Sequence, residues 1–488
     1  MRASPGATFA VAGAMALGAA PVASAETLYD AVALAYETNP TLQAARANQR
    51  AIDEEYPQAK AGLRPTVQIT ASVLHGDNQN PNFPSAVEST SNAVVQVSQP
   101  LYTGGRVTSA EDAASADILA GRQSLRETEI QVLQSVIGAY VDVRRDQEQM
   151  AIAQDNVSVL KRQLDETKAR FDVGEATRTD TAQAQARIAL GEAQLASIQS
   201  GLAIARAAYD VAVGQNPGDL APEPPIAQLL PANLDAVFDA AEQNNPQLLQ
   251  ANYVEEASAA RLAGAKAGTR PSVALQGSFG YSGGLTPQGL PANSPFADIS
   301  RQLVIQATAT IPLFSGGMTS SQIRQEAERN NVDRIGIEAT RRLVLQAVSQ
   351  AWSQLVGARA SLVANQAQVE ADAIAYEGTR EEEQQDLRTT LDVLNAAQEL
   401  ENAKLALAAA RHDEYVAAAS VLAAMGALRI EVLIPSEPRY DPAANLKHVR
   451  NAIGWTPWEP VLEGLDRLGA PEPNPRPPPA PPGRVVKP

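Results

Sequence analysis

Leu28–Arg46 reads LYDAVALAYETNPTLQAAR, and Leu234–Asn252 reads LDAVFDAAEQNNPQLLQAN. Asn39–Pro40 and Asn245–Pro246 lie 206 residues apart, and the same offset joins Arg64–Pro65 to Arg270–Pro271. Farther along, QPLYTGGR (Gln99–Arg106) answers IPLFSGGM (Ile311–Met318) at an offset of 212, which Asp180 and Asp392 also keep. Chance matches do not hold register over so many anchors, so the chain is an internal duplication.

Within each copy the patterns come in one order. A leading helix is expected over Thr27–Lys60 and over Leu234–Lys266, stopped by an Arg-Pro pair. A stretch of period two follows: Val67, Ile69, Ala71 and Val73 in the first copy, Val273, Leu275, Gly277, Phe279 and Tyr281 in the second. Polar loops His75–Asn92 and Ser282–Ala297 come next. Alternation resumes at Val95 and Val97, and at Leu303, Ile305, Ala307, Ala309 and Ile311. Ungapped helices then run from about Arg106 to Phe171 and from about Met318 to Gly378, roughly 90–100 Å each at 1.5 Å per residue. The turns are expected at Phe171–Asp180 and Gly378–Asp392, before a returning helix. Apolar residues recur every seven positions at Ile188, Leu195, Leu202 and Tyr209, and at Val348, Leu355, Leu362, Val369 and Tyr376, as on the seam of a coiled coil. Helices this long do not belong to a compact soluble domain.

Composition narrows the function. Of 488 residues, 44% are hydrophobic but only 4% aromatic, so few large rings exist to fill a thick core. The 39 Lys+Arg against 55 Asp+Glu give a net charge of -16, which excludes nucleic acid as a partner because duplex binding needs a cationic face. Without cysteine there is no disulfide, and three histidines leave little for a soft-metal site. Residues 1–25 read as a signal peptide: a basic Met1–Arg2, an apolar Phe9–Ala20 and a small-residue Ala23–Ser24–Ala25. No later run of about 20 apolar residues predicts a membrane helix. An exported chain of this kind is soluble or crosses an outer membrane as a barrel. Residues 26–233 and 234–429 are the two repeats. Residues 430–470 form a C-terminal segment that either bands the helices at mid-height or hangs below them. In the stretch 471–488 nine of eighteen residues are proline, which predicts an extended tail.

Four strands cannot close a barrel, whose smallest form has eight. Two chains would supply eight strands and a filled interior, and three would supply twelve and a water-filled lumen. At this point the sequence resembles the outer membrane efflux proteins of the TolC family over about Glu26–Val432. The features carrying the resemblance are the two Asn-Pro pairs, the P-L-[YF]-x-G-G segments at Pro100–Gly105 and Pro312–Gly317, RFDVGEATRTD (Arg170–Asp180) and LRTTLDVLNAAQEL (Leu387–Leu400). The resemblance implies a mainly α chain with a membrane β section. It implies a homotrimer with a shared 12-stranded β-barrel, four strands per chain, on an antiparallel coiled-coil α-barrel reaching from the outer membrane into the periplasm. The implied function is efflux of small toxic molecules, working with a periplasmic adaptor and a proton- or ATP-driven inner membrane transporter. The alternative within the architecture is a type I secretion channel for a protein substrate. The rival of another class is a periplasmic coiled-coil scaffold whose alternating stretches are soluble hairpins. No catalytic constellation or cofactor is read: His412–Asp413–Glu414 are adjacent on a helix and point in different directions.

Two groups of residues stand out. Pro100, Gly104 and Gly105, with Pro312, Gly316 and Gly317, mark junctions where strand gives way to helix and glycine turns the chain without a Cβ penalty. Neighbouring Thr and Ser are candidate helix caps, and Tyr102 and Phe314 suit a membrane–water interface as well as core packing. The second group lies at the helix turns. Asp392 and Asn395, three apart on one helical face, are candidates to line a constriction, and Arg388 to form ion pairs between subunits; the plainer alternative is a solvated helix start. By resemblance Asp392 forms an acidic ring that cations plug, and Arg388 matches the arginine of the family's G-x-R-T run, with Asp386 in place of its glycine. Asn395 replaces the aspartate of a second ring. Glu383 replaces a tyrosine that bonds the aspartate matched by Asp180, so no tyrosine–aspartate latch is expected and the two acids should repel. The run Glu381–Glu383 is expected to face water.

Overall fold

The computed structural model describes residues 25–78, 86–284, 299–385, 387–434, 439–450 and 454–471. Residues 1–24 of the signal segment, residues 79–85 of the first polar loop, most of the second, Asp386, residues 435–438 and 451–453 and the proline-rich tail beyond residue 471 lie outside the described residues; the loop expected over His75–Asn92 is strand at both ends, up to Asn78 and from Ala86.

Each leading segment breaks at its Asn-Pro pair into separate helices where the sequence pattern predicts one. In the first repeat α1 (Leu28–Thr38) stops at Asn39, and α2 (Pro40–Asp53) begins with proline at its first position, followed by the short α3 (Glu55–Lys60). The Asn39 side chain accepts from the N–H groups of Thr41 (3.0 Å) and Leu42 (3.4 Å). Its amide also donates to the Ala212 carbonyl at 3.0 Å, near the end of the returning helix Arg178–Val213. Asn245 repeats this: it accepts from Gln247 and Leu248 N–H and donates to Ala424 O at 2.9 Å. Proline lacks the N–H that a continuing helix needs but is well placed at a helix start. The Asn-Pro pair therefore ends one helix, caps the next and hooks the end of the returning helix.

The strands and long helices follow. β1 (Thr66–Asn78) and β2 (Ala86–Tyr102) lead into α4 (Arg106–Asp172), which turns into α5 (Arg178–Val213). The second repeat gives α6 (Leu234–Asn244), α7 (Pro246–Ala267), β3 (Ser272–Gly284), β4 (Ser300–Thr310), α8 (Met318–Gln384) and α9 (Thr390–Ala424). Both α4 and α8 are 67 residues long, about 100 Å at the usual rise. The helix α8 passes through Gly378 and ends only at Gln384, so the second turn is shorter than the sequence suggests. Glutamates 381–383 are good helix formers and carry the helix past one glycine. Side by side, the columns are α2–α3 continued by α5, then α4, then α7 continued by α9, then α8. The sheet keeps the same order, β1-β2-β3-β4, all antiparallel.

Register gives the sheet two unlike faces, because residues directly opposite one another share a face. Val67, Val97, Gly277 and Ile305 align across the four strands, as do Ile69, Val95, Phe279 and Leu303. That face is apolar. The other carries Gln68, which donates to Gln96 at 2.7 Å, and Gln306, which donates to Gln276 at 2.9 Å. Among the described residues no helix is long and apolar enough to cross a membrane.

The main core lies at mid-height of the long helices. Val136, Ile137 and Tyr140 of α4, Tyr209 of α5, Val348 and Leu355 of α8 and Leu422 of α9 are buried there with α1 and α6. The Tyr140 hydroxyl lies 2.9 and 2.7 Å from the Glu26 and Ala221 carbonyls. Toward the turns the heptad positions Ile188, Leu362, Val369 and Tyr376 are only half-buried. After α9 the chain forms α10 (Ile430–Leu433), α11 (Ala444–Val449) and α12 (Glu459–Leu468). The first packs on α1 and the second on α2, where Asn445 donates to Asp53 at 3.0 Å.

The last helix, α12, climbs to the base of the sheet. Glu459 is buried between Arg64 (3.2 Å) and Lys60 (3.1 Å); burial raises its carboxyl, but these two cations together hold it below the usual glutamate value. Beside it, both carboxylate oxygens of buried Glu111 in α4 lack a hydrogen-bond partner, with Arg467 no nearer than 3.8 Å. Burial first and repulsion from Glu463 next push its carboxyl up to about 7, against the pull of Lys60 and Arg467. Folding thus takes up a proton here, and this site's stability, full below pH 4.5, is lost as pH rises through about 7. Glu111→Gln should raise the thermal midpoint at pH 8 by about 2–4 °C while leaving it nearly unchanged at pH 5, as followed by circular dichroism. Equal shifts at both pH values would contradict this.

Candidate gating site and strand–helix junctions

The two junctions share a local design. Thr103 and its counterpart Ser315 each accept from an N–H four residues on, Val107 (3.1 Å) and Thr319 (3.4 Å). Each helix then starts after a glycine pair in the left-handed region, Gly104 and Gly105 at φ 74° and 89° and Gly316 and Gly317 at 63° and 85°. Their surroundings differ. A Cβ on Gly105 would lie 2.4 Å from Ala470 Cα, whereas Gly316 and Gly317 have nothing within 4 Å. Asp466 of α12, fully buried, closes the first junction. Its carboxylate accepts from the N–H groups of Thr103 (2.6 Å), Gly105 (3.2 Å) and Thr108 (3.4 Å) and from the hydroxyls of Thr103 and Thr108. An anion here also meets the positive end of the α4 dipole.

The aromatics diverge likewise. Tyr102 ends β2 and lies under α12, its hydroxyl against Gly469. Phe314 is no strand end: β4 stops at Thr310, and Phe314 stands exposed beyond it. Pro100 lies at a register shift in the β2–β3 pairing, where its missing N–H is tolerated, while Pro312 follows the sheet.

At the opposite end the two turns are copies. Thr177 caps α5 and Thr389 caps α9, and in each the aspartate three residues on completes a capping box. Asp180 Oδ2 accepts from the N–H and hydroxyl of Thr177, both at 2.8 Å. Asp392 Oδ2 accepts from the N–H (3.1 Å) and hydroxyl (2.8 Å) of Thr389. The Thr389 hydroxyl, then its N–H, and finally the charge of Arg388 hold the Asp392 carboxyl below the usual aspartate value, so it is an anion at neutral pH.

The remaining candidates are tied within the chain. Arg388 donates to Glu382 at 2.9 Å, across its own turn. Glu383 does not face water with its neighbours: it is buried against Arg170 of α4, and the Thr390 hydroxyl lies 3.4 Å away. Asp180 and Glu383 each have a partner of their own, Thr177 and Arg170. Asn395 accepts from Arg187 of α5 at 2.6 Å. Arg170 and Arg187 thus join the hairpin α4–α5 to the hairpin α8–α9. Both lie in or beside the quoted RFDVGEATRTD run, but nothing in a sequence links them to residues over 200 positions away. The Thr-x-x-Asp spacing at Thr177–Asp180 and Thr389–Asp392 was the available signal for the capping boxes. His412 links α9 to α4 by its contact with Asp142 (3.0 Å) and touches Asp413 (2.9 Å). Among the described residues no group of three or more His, Asp or Glu is placed to hold a metal.

A duplicated layer of helical columns about 100 Å long, capped by a sheet with one apolar face, is the architecture of an outer-membrane export duct. The chain belongs to the outer membrane efflux protein family, whose pattern matches residues 31–215 and 237–427, one stretch in each repeat. It is 32% identical to outer membrane efflux protein BepC of Brucella suis over 429 residues, covering 88% of this chain and 91% of that one. It is 25% identical to alkaline protease secretion protein AprF of Pseudomonas aeruginosa over 404 residues, 79% and 81% of the two chains. The solved outer-membrane channel OprN matches with a TM-score of 0.70 at 21% identity, over 82% of this chain and 90% of that one, a likeness of fold. The protein is an outer-membrane channel of the efflux and export type.

Proposed function

We propose that three copies of the chain close into a twelve-stranded β-barrel standing on a helical duct, through which small toxic molecules pass from the periplasm to the exterior. The observation that carries this reading is that both lateral edges of the layer are open. β1 and β4 each pair on one side only. The edge helix α5 exposes Leu190, Ile204 and Val211, at steps of fourteen and seven, and the edge helix α8 exposes Val356, Val363 and Ile374. Unpaired strands and apolar stripes call for neighbours. Three copies suit the glutamine-bearing face better than two, because twelve strands leave a wet lumen and eight do not.

A threefold axis would copy Asp392 into a ring of carboxylates at the far mouth, with Asn395 one turn further in, and the ring binds and is blocked by divalent cations. Asp180, Glu383 and Arg388 brace this mouth. The turns expose Phe171, Val173 and Leu387, an apolar rim suited to a periplasmic adaptor that couples the duct to an inner membrane transporter. A protein substrate is the second reading, favoured by the likeness to AprF. Efflux is preferred on the higher identity to BepC.

Planar-bilayer recording of the purified protein, with native mass spectrometry for its stoichiometry, tests the proposal. The expected result is a trimer whose current is blocked by divalent cations. Asp392→Ala should raise the half-blocking concentration about tenfold or more. A soluble, elongated dimer without conductance would refute the channel, and unchanged block in the variant would refute the ring.

A further inference from the structure

We infer that α12 is a membrane-interface anchor, its outward stripe seated in the phospholipid headgroup region at the periplasmic base of the β section. The helix is turned inside out for a water-facing surface. It buries the carboxylates of Glu459 and Asp466, yet exposes Trp458, Val461, Leu465 and Leu468, with Val461 at 64% and Leu468 at 86%. Steps of three, four and three place these four on one helical face. Trp455, just before the helix, is also half exposed.

Register fixes the side of the sheet on which this happens. Gln99 follows Val95 and Val97 at period two, so it belongs to the apolar face. It is nonetheless buried, and the Trp458 indole N–H donates to its Oε1 at 3.2 Å. The apolar stripe of α12 therefore continues the apolar face of the strands at their lower end, where they meet helix. Tryptophan and aliphatic residues at that level suit the membrane–water boundary. The helix is pinned at this rim by Asp466 and Glu459.

The inference rests on the β section lying in lipid, and its test separates the two. The chain has three tryptophans, so Trp352→Phe leaves Trp455 and Trp458 as reporters in the full-length protein. Reconstituted into phosphatidylcholine vesicles brominated near the headgroup, this variant should lose roughly half its emission relative to plain lipid, and less with bromine deep in the chains. The variant Trp455→Phe/Trp458→Phe, which keeps only Trp352 in the helical wall, should lose none. Ile69→Trp, made with all three native tryptophans replaced by phenylalanine, reports the sheet. Unquenched Trp455 and Trp458 overturn the anchor, including the case in which blue-shifted emission shows protein covering the stripe. If Ile69→Trp is quenched in that event, the barrel stands alone; if it is not, the barrel falls too. A nitroxide on Leu468→Cys, the only thiol in the variant, gives a second reading: accessibility to oxygen supports the anchor, and accessibility to a water-soluble relaxant overturns it.

Discussion

Asp466→Ala should free the last helix from the head of α4 and cost about 3 kcal/mol. The loss comes from what is left behind more than from what is removed. Three backbone N–H groups and two hydroxyls converge on one carboxylate with no exposed surface, and alanine would strand them away from water. It would also remove the anion from the start of a helix dipole 67 residues long. Asp466→Asn keeps the shape and one acceptor oxygen, and should fall between alanine and the native chain. Trypsin provides the measurement, because Arg467 is the next residue and its pairing with Asp112 and Glu463 depends on the same anchorage. Cleavage after Arg467 should be fast in Asp466→Ala, slower in Asp466→Asn and slowest in the native protein. Equal rates in all three would mean that the contacts among Lys60, Arg64 and Glu459 hold the helix alone.

What could be read from the sequence was whatever repeats or keeps a period. The offsets of 206 and 212 placed both copies, period-two alternation placed the four strands, and the glycine pairs placed the junctions. The Asn-Pro pairs were read as part of one helix; the Asn39 cap on Thr41 and Leu42 marks a second helix there, and the hook from Asn39 to Ala212 was not visible in the sequence. The junctions were read as equivalent since their sequences match. They differ because Asp466, 363 residues from Thr103, reaches only one of them. Asp392 was read as lining a constriction, Asp180 as the match of a latch residue and Glu383 as facing water; both aspartates also complete capping boxes, and Glu383 is spoken for by an arginine 213 residues away. Local chemistry was legible, and pairings across hundreds of residues were not.

Those distant pairings make the second large effect predictable. Arg170–Glu383 and Arg187–Asn395 are ties between two hairpins of one chain, so a mouth that widens by parting its hairpins must break them. Arg170→Met leaves Glu383 buried without its cation, while the exposure of Arg170 itself limits the penalty to about 2 kcal/mol. A bias of that size shifts the balance between joined and parted hairpins about thirtyfold. Single-channel conductance of Arg170→Met should therefore rise severalfold, and Arg187→Ala should add to it, since the two ties engage different partners. Lys161→Met is the matched control: its pair with Glu192 (2.9 Å) joins α4 to α5 inside one hairpin, and its loss should leave conductance unchanged. If Lys161→Met opens the mouth as far as Arg170→Met does, removal of any positive charge is responsible. If none of the variants changes the current, the hairpins move together, and the mouth is governed by contacts between chains, where Asp392 would act alone.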